Sequence, residues 1–149
     1  MKTLLSESEL RAGVERLAAE INAHYGERPL TIIGVLTGSV VLLADLIRLL
    51  EMPLRVGVVQ ASSYRGNSTT RGELHINSEL MPDIAGRDVL LVDDIFDTGH
   101  TLAEVIRQMH QLGPTSVRSC VLLLKHGRQE VDVPINHVGF DIPDEFVVG

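Results

Sequence analysis

The chain has 149 residues, 44% of them apolar, with two Tyr, three Phe and no Trp, so it is long enough for one domain (residues 1–149) built on an aliphatic core. Its net charge of −7 argues against broad binding to nucleic acid or to an anionic membrane, but leaves an anionic small substrate open, because local N–H nests and magnesium hold phosphate on acidic proteins. Cys120 is the one cysteine, Met1 to Glu20 is charged and amphipathic rather than signal-like, and no apolar run approaches the roughly 18 residues of a membrane span; no internal disulfide and a reducing, cytoplasmic setting are expected.

Ser6 is placed to cap a helix, with Glu7 and Glu9 in its first turn and Leu10, Val14, Leu17, Ala18 and Ile21 recurring at helical spacing. Gly26 and Pro29 break that helix. Leu30 to Leu36 is an apolar, β-branched strand, Thr37-Gly38-Ser39 a turn, and Val40 to Leu50 a helix with Asp45 and Arg48 on its polar face. Leu54 to Val59 reads as a strand. Ala61 to Asn77 is polar and rich in Ser, Thr, Gly and Arg, either a long loop or a loose hairpin. Asp88 to Val92 is a buried strand, followed by a helix (Leu102, Val105, Ile106, Met109) that ends near Gly113-Pro114. Val117 to Leu124, which holds Cys120 as a buried residue, and Ile135 to Phe140 complete the strands. This order predicts an α/β fold: a mostly parallel, twisted sheet flanked by helices.

Residues 89 to 102, VLLVDDIFDTGHTL, carry the chemistry. Asp93 and Asp94 sit where the strand is expected to end, and ligands of open α/β sheets bind at the carboxyl ends of strands. Asp97, Thr98, Gly99 and Thr101 then form a turn into a helix start, which presents N–H groups and a favourable dipole end to a phosphate. Paired carboxylates suit sugar hydroxyls or a magnesium ion that keeps much of its water. Other phosphate folds fit less well. There is no G-x-x-x-x-G-K-[ST], no G-x-G-x-x-G after the first strand, and no second strand bearing the carboxylate a receiver domain needs. Of the histidines, His24, His75, His110 and His126 read as surface residues.

The segment VLLVDDIFDTGHTL closely resembles the phosphoribosyl-pyrophosphate signature of the type I phosphoribosyltransferases. Gly34 to Ser39 (GVLTGS) resembles the first-loop motif of their hypoxanthine-guanine branch, Ser62-Ser63-Tyr64 the start of its mobile loop, and Val138 to Gly149 (VGFDIPDEFVVG) its purine hood. The resemblance implies the type I phosphoribosyltransferase fold with a small hood and a mobile loop. It implies transfer of 5-phosphoribose from phosphoribosyl pyrophosphate to hypoxanthine or guanine, giving IMP or GMP and pyrophosphate, with Mg2+ as cofactor. It further implies a homodimer or homotetramer.

Roles follow from the same resemblance. Asp93 and Asp94 would hold the ribose hydroxyls, directly or through magnesium, and Asp144 a second magnesium. Asp97 would be general base and acid at N7 of the purine. Asp97, Thr98, Gly99, His100 and Thr101 would surround the 5′-phosphate. Thr37 and Gly38 would bind pyrophosphate in a turn with a cis peptide. Lys125 would donate to O6 and so reject adenine, and Val138 would pair with the base edge through its backbone. Ser63 and Tyr64 would close over the reacting centre and exclude water.

Several positions depart from the branch pattern. Thr37 replaces a Lys, Asp93-Asp94 a Glu-Asp, and His100 a Lys or apolar residue; His137 stands where a Phe or Tyr stacks on the base. The sequence ends at Gly149, ahead of the family's Arg-bearing C-terminal segment. These departures keep two alternatives open: a regulator that senses phosphoribosyl pyrophosphate or nucleotide on the same fold, and a xanthine-preferring enzyme.

Overall fold

The structure, a computed structural model, describes residues 5–64 and 73–143; the side chains of Ser63, Tyr64 and Glu73 lie outside that description. Ser6 starts the first helix. Its Oγ accepts the Glu9 N–H at 3.1 Å while Glu9 Oε1 accepts the Ser6 N–H at 3.1 Å, satisfying two donors that a helix start leaves unpaired. Helix α1 (Glu7–Tyr25) buries Val14, Leu17, Ala18, Ile21 and Tyr25 along one stripe and stops at Gly26, where φ is 61°. Strand β1 (Leu30–Leu36) is mostly apolar and buried up to Val35 because both faces of the sheet are covered.

Helix α2 (Val40–Ile47) follows, then β2 (Leu54–Tyr64), β3 (Glu73–Asn77), β4 (Asp88–Phe96), α3 (His100–His110), β5 (Ser116–Lys125) and β6 (His137–Ile142). The strands form one six-stranded sheet in the order β3-β2-β1-β4-β5-β6. Every neighbouring pair is parallel except β2 with β3. Alternation along the strands sends Leu90, Val92 and Cys120 to a core shared with α1 and α2, and Ile33, Leu91 and Val121 to a core under α3. Burial pushes the Cys120 thiol up to about 12. Among the described residues no helix is long and apolar enough to cross a membrane.

Several boundaries differ from the sequence reading; β6, for one, runs His137–Ile142 rather than Ile135 to Phe140. The helix after the Thr37 turn ends at Ile47 rather than Leu50. Strand β2 runs on to Tyr64, because β3 pairs with it antiparallel from Gln60↔Asn77 to Tyr64↔Glu73; the described parts of the polar stretch are two paired strands. Strand β4 continues past Val92 to Phe96, because β5 stays paired with it as far as Phe96↔Leu124.

This last difference shapes the molecule. β1 accompanies β4 only to Gly34↔Val92 and then turns away at Thr37. Asp93 and Asp94 therefore lie on a strand still held by β5 on one side and released by β1 on the other. A crevice opens there, at the carboxyl ends of the central strands, where chain order runs one way from β1 to β2 and the other way from β1 to β4.

Candidate active site

The crevice is a cavity of about 260 Å³, and its lining includes Gly38, Asp93, Asp94, Asp97, Thr98, Gly99 and Thr101. Residues from the end of β1, the end of β4 and the start of α3 thus meet in one place. The peptide between Leu36 and Thr37 is cis, at the entrance of the turn for which a cis bond was expected. Ser39, fully buried, holds that turn: its Oγ donates to the Val35 carbonyl at 2.6 Å. Gly38 packs directly on Asp94, and a Cβ there would stand 2.6 Å from the carboxylate carbon and from both of its oxygens.

The two carboxylates are fixed by the backbone that follows them. Asp93 Oδ1 accepts the Asp94 N–H at 2.8 Å, and Asp94 Oδ1 accepts the Ile95 N–H at 2.9 Å. Burial, then the hydrogen bond and charge of Asp94, push the Asp93 carboxyl up to about 8. Two adjacent acids in a half-buried crevice cannot both ionise freely, so the pair favours a cation or a set of hydroxyl donors.

Beyond the end of β4, the start of α3 is built differently from that of α1. Its cap is Gly99 at φ 97°, with no side-chain cap bond and no acidic residue in the first turn. The first N–H groups of α3 are left to an incoming anion, and the helix dipole favours one. Glycine is required at 99 by that φ and by crowding: a Cβ would meet the Val131 carbonyl at 3.1 Å.

Asp97 stands between the carboxylate pair and this helix start. Its Oδ1 accepts the Arg128 Nε–H at 2.7 Å. Arg128 belongs to the turn after β5, and the same turn donates the Glu130 and Val131 N–H groups to the Thr98 carbonyl at 2.9 and 3.2 Å. His100 turns away from the cavity to Glu130 Oε1, 3.0 Å from its Nε2. Ser39, Arg128 and Glu130 were missed in the sequence. Ser39 sits inside a motif in which only Thr37 and Gly38 were given roles, and Arg128 reaches its partner across 31 positions, which no local pattern encodes.

Other expected residues lie apart from the cavity. Lys125 ends β5 opposite Ile142, half-buried, and Val138 lies opposite Val121 with its side chain toward the α3 core; neither lines the cavity. His137 differs most from its expected place beside a base. It pairs with Cys120, so alternation points its ring at α1, where it is 4% exposed. There its Nδ1 lies 3.2 Å from Glu20 Oε1 and its Nε2 3.5 Å from Arg118 Nη2. Burial and Arg118 pull its pKa below the usual histidine value against the opposing pull of Glu20. Burial thus favours the neutral ring, and the Glu20 carboxylate is placed to accept from Nδ1. Ser63 and Tyr64 are paired with Leu74 and Glu73 at the end of β2, and Asp144 lies outside the described residues. His24, His75, His110 and His126 are exposed as expected. A larger, mostly apolar groove of about 640 Å³ between α1 and α2 adjoins the cavity at Gly38 and Asp94.

The sequence matches the model of the phosphoribosyl transferase domain over residues 1–149. The chain belongs to the phosphoribosyl transferase family. It is 41% identical to the hypoxanthine phosphoribosyltransferase of Haemophilus influenzae, with 98% of this chain and 83% of that protein covered. It is 40% identical to the hypoxanthine phosphoribosyltransferase of Salmonella typhimurium, covering 100% of this chain and 85% of that one. Among solved structures, a hypoxanthine-guanine phosphoribosyltransferase of Bacillus anthracis superposes with a TM-score of 0.90 at 36% identity, over 98% of this chain and 86% of the other. In this phosphoribosyl transferase one crevice thus brings together the uncapped start of α3, the adjacent carboxylates of Asp93 and Asp94, and the carboxylate of Asp97.

Proposed function

We propose that this phosphoribosyl transferase carries 5-phosphoribose from phosphoribosyl pyrophosphate to hypoxanthine or guanine, yielding IMP or GMP and pyrophosphate. The observation that carries the reading is the placement of the Asp93–Asp94 pair just ahead of Asp97 and the uncapped start of α3, at the open end of β4. The 5′-phosphate sits on the N–H groups and hydroxyls of residues 97–101, including Thr98 and Thr101. The ribose hydroxyls donate to Asp93 and Asp94. Pyrophosphate lies along the Thr37-Gly38 turn, and Asp97 takes and returns the proton at N7 of the base. Lys125 reads O6 and Val138 the base edge in this proposal, with Ser63 and Tyr64 closing over the reacting centre.

The donor set fits magnesium. Asp93 is held partly protonated by burial and by its neighbour, a condition that an adjacent cation relieves. Among the described residues no three His, Cys, Asp or Glu side chains converge, so the site offers one or two carboxylates rather than a protein cage, as magnesium prefers. Asp93 and Asp94 would hold one magnesium ion and Asp144 a second on the pyrophosphate side, and bound there they would neutralise charge on the pyrophosphate. A homodimer or homotetramer in the cytoplasm completes the proposal; the exposed Val40 and Val41 beside the pyrophosphate turn support self-association.

The test is nucleotide formation with magnesium, phosphoribosyl pyrophosphate and, in parallel, hypoxanthine, guanine, xanthine, adenine and uracil. Turnover is expected with hypoxanthine or guanine and not with adenine or uracil. The Asp97→Asn variant is expected to lose about 100-fold or more in kcat while binding phosphoribosyl pyrophosphate nearly as well. Turnover confined to xanthine or uracil, or equal losses of kcat and binding in the variant, would sink the assignment.

A further inference from the structure

Asp97 is not alone in the crevice, and its companion comes from the opposite side of the chain. The turn after β5 is pinned at both ends. The His126 N–H donates to the Ile142 carbonyl at 3.0 Å, and the Glu130 and Val131 N–H groups donate to the Thr98 carbonyl at 2.9 and 3.2 Å. Between these anchors Gly127 takes φ 82°, and Arg128 extends over the phosphate loop to place its Nε 2.7 Å from Asp97 Oδ1. The bond uses one carboxylate oxygen. The other remains for the cavity that Asp97 lines.

The pair is a poor device for stability. Its side chains are 45% and 39% exposed, and ion pairs so placed contribute little to folding. It is a good device for orientation. A carboxylate that must meet one ring nitrogen loses rate steeply when displaced by about 1 Å, and an aspartate at a loop has two freely turning bonds. The fixed Nε–H of a guanidinium, on a turn fastened to the next residue's carbonyl, removes that freedom.

We propose that Arg128 is a positioning residue for Asp97: it holds one carboxylate oxygen so that the other faces the base, and it sets the rate of the proton-transfer step rather than the affinity for phosphoribosyl pyrophosphate. This rests on the reading of Asp97 as the group that serves the purine. The backbone bonds of Glu130 and Val131 to Thr98 survive loss of the Arg128 side chain, so the phosphate loop keeps its shape while Asp97 is freed.

The experiment combines kinetics and structure. Arg128→Ala is expected to lower kcat about 10- to 100-fold, with the KM for phosphoribosyl pyrophosphate changed less than about threefold and the melting temperature moved by only a few degrees. Arg128→Lys is expected to recover part of the rate, and free guanidinium ion below denaturing concentration to restore part of it to Arg128→Ala. In an Asp97→Asn background, Arg128→Ala is expected to have no further effect on kcat. An unchanged kcat, or a loss of the same factor in both backgrounds, overturns the proposal. Crystal structures of the ligand-free wild type and Arg128→Ala provide a readout that needs no turnover. An Asp97 side chain in the same rotamer in both overturns the proposal, and a turned carboxylate in the variant supports it. Failure of the wild type to turn over any base would instead remove the functional reading, and the two structures would still decide whether Arg128 orients Asp97.

Discussion

Gly38→Ala tests whether the Thr37-Gly38 turn and the Asp93–Asp94 pair, proposed to hold pyrophosphate and ribose, act as one unit. Gly38 is not among the glycines with positive φ, so space and not backbone freedom demands it. Its added Cβ would lie 2.6 Å from Asp94 Cγ, Oδ1 and Oδ2, and ordinary contact begins at 3.4 Å, so the carboxylate or the turn must move by roughly 0.8 Å. The turn is anchored by the buried Ser39, which makes the carboxylate the softer partner. Turning it breaks the 2.9 Å bond from the Ile95 N–H. Overpacking of this kind costs about 1–3 kcal/mol, and at about 2–4 °C per kcal/mol for a domain of this size the melting temperature should fall by about 2–12 °C. Displacing Asp94 from a ribose hydroxyl forfeits a charged hydrogen bond of about 1.5–3 kcal/mol, hence about 10- to 150-fold in kcat/KM. Calorimetry and steady-state nucleotide formation measure the two effects. Gly26→Ala is the control: a Cβ at Gly26 meets nothing within 4 Å but sits at φ 61°, so it should lower stability through the backbone and leave kcat/KM unchanged. Wild-type stability and activity in Gly38→Ala would refute the close approach. A lower melting temperature with unchanged kcat/KM would refute the role given to Asp94.

Asp93 carries a carboxyl whose pKa is raised in the folded state, so the folded chain binds more protons than the unfolded one. The sign is therefore that its contribution is most favourable below about pH 4 and is lost as pH rises toward about 8, the reverse of a salt-bridged aspartate. Ligand-free wild type should lose denaturation midpoint relative to Asp93→Asn between pH 5 and 8, and parallel pH curves would contradict the burial of that charge. His137→Ala should destabilise the chain by about 2–4 kcal/mol, because it empties a buried site and leaves Glu20 facing the gap. It should leave the KM for the base within about twofold if the ring acts only through α1. A many-fold rise in that KM with little change in stability would return His137 to the base. Cys120, fully buried with its thiol pushed up to about 12, should resist a disulfide reagent in the native state and react on unfolding; rapid stoichiometric labelling of the native chain would show the β5 core to be open.

The parts of this molecule that were legible in the sequence are those whose cause is local. Leu30 to Leu36 was read to the residue because an apolar β-branched run is punctuated by Pro29 before it and Gly38 after it. The N-cap at Ser6 and the Gly99 turn were legible for the same reason: each is a pattern of four or five consecutive residues. The β2–β3 pair was left open between loop and hairpin, because its polar residues are held by cross-strand pairing and not by apolar alternation. Arg128 and Glu130 were invisible, since the turn that carries them is defined by what it touches in space.

The end of β4 shows why the site in particular resists a sequence reading. Charged residues after an apolar run mark a strand's end almost everywhere, since burying them is unfavourable. Here Asp93, Asp94 and Ile95 stay in the strand because β5 supplies a continuing ladder, while β1 departs and leaves the other edge open. The rule fails by four residues, and those residues lie in the crevice. A strand that ended at Val92 would set the two aspartates on a turn, each free to hydrate and turn separately. Continuing it to Phe96 fixes their spacing to the start of α3 and holds Asp93 against its own preference for water, as its raised pKa records. The unfavourable burial of that acid and the fixed geometry of the phosphate loop have the same structural origin. Stabilising the ligand-free chain by Asp93→Asn should therefore weaken the site that the extended strand builds.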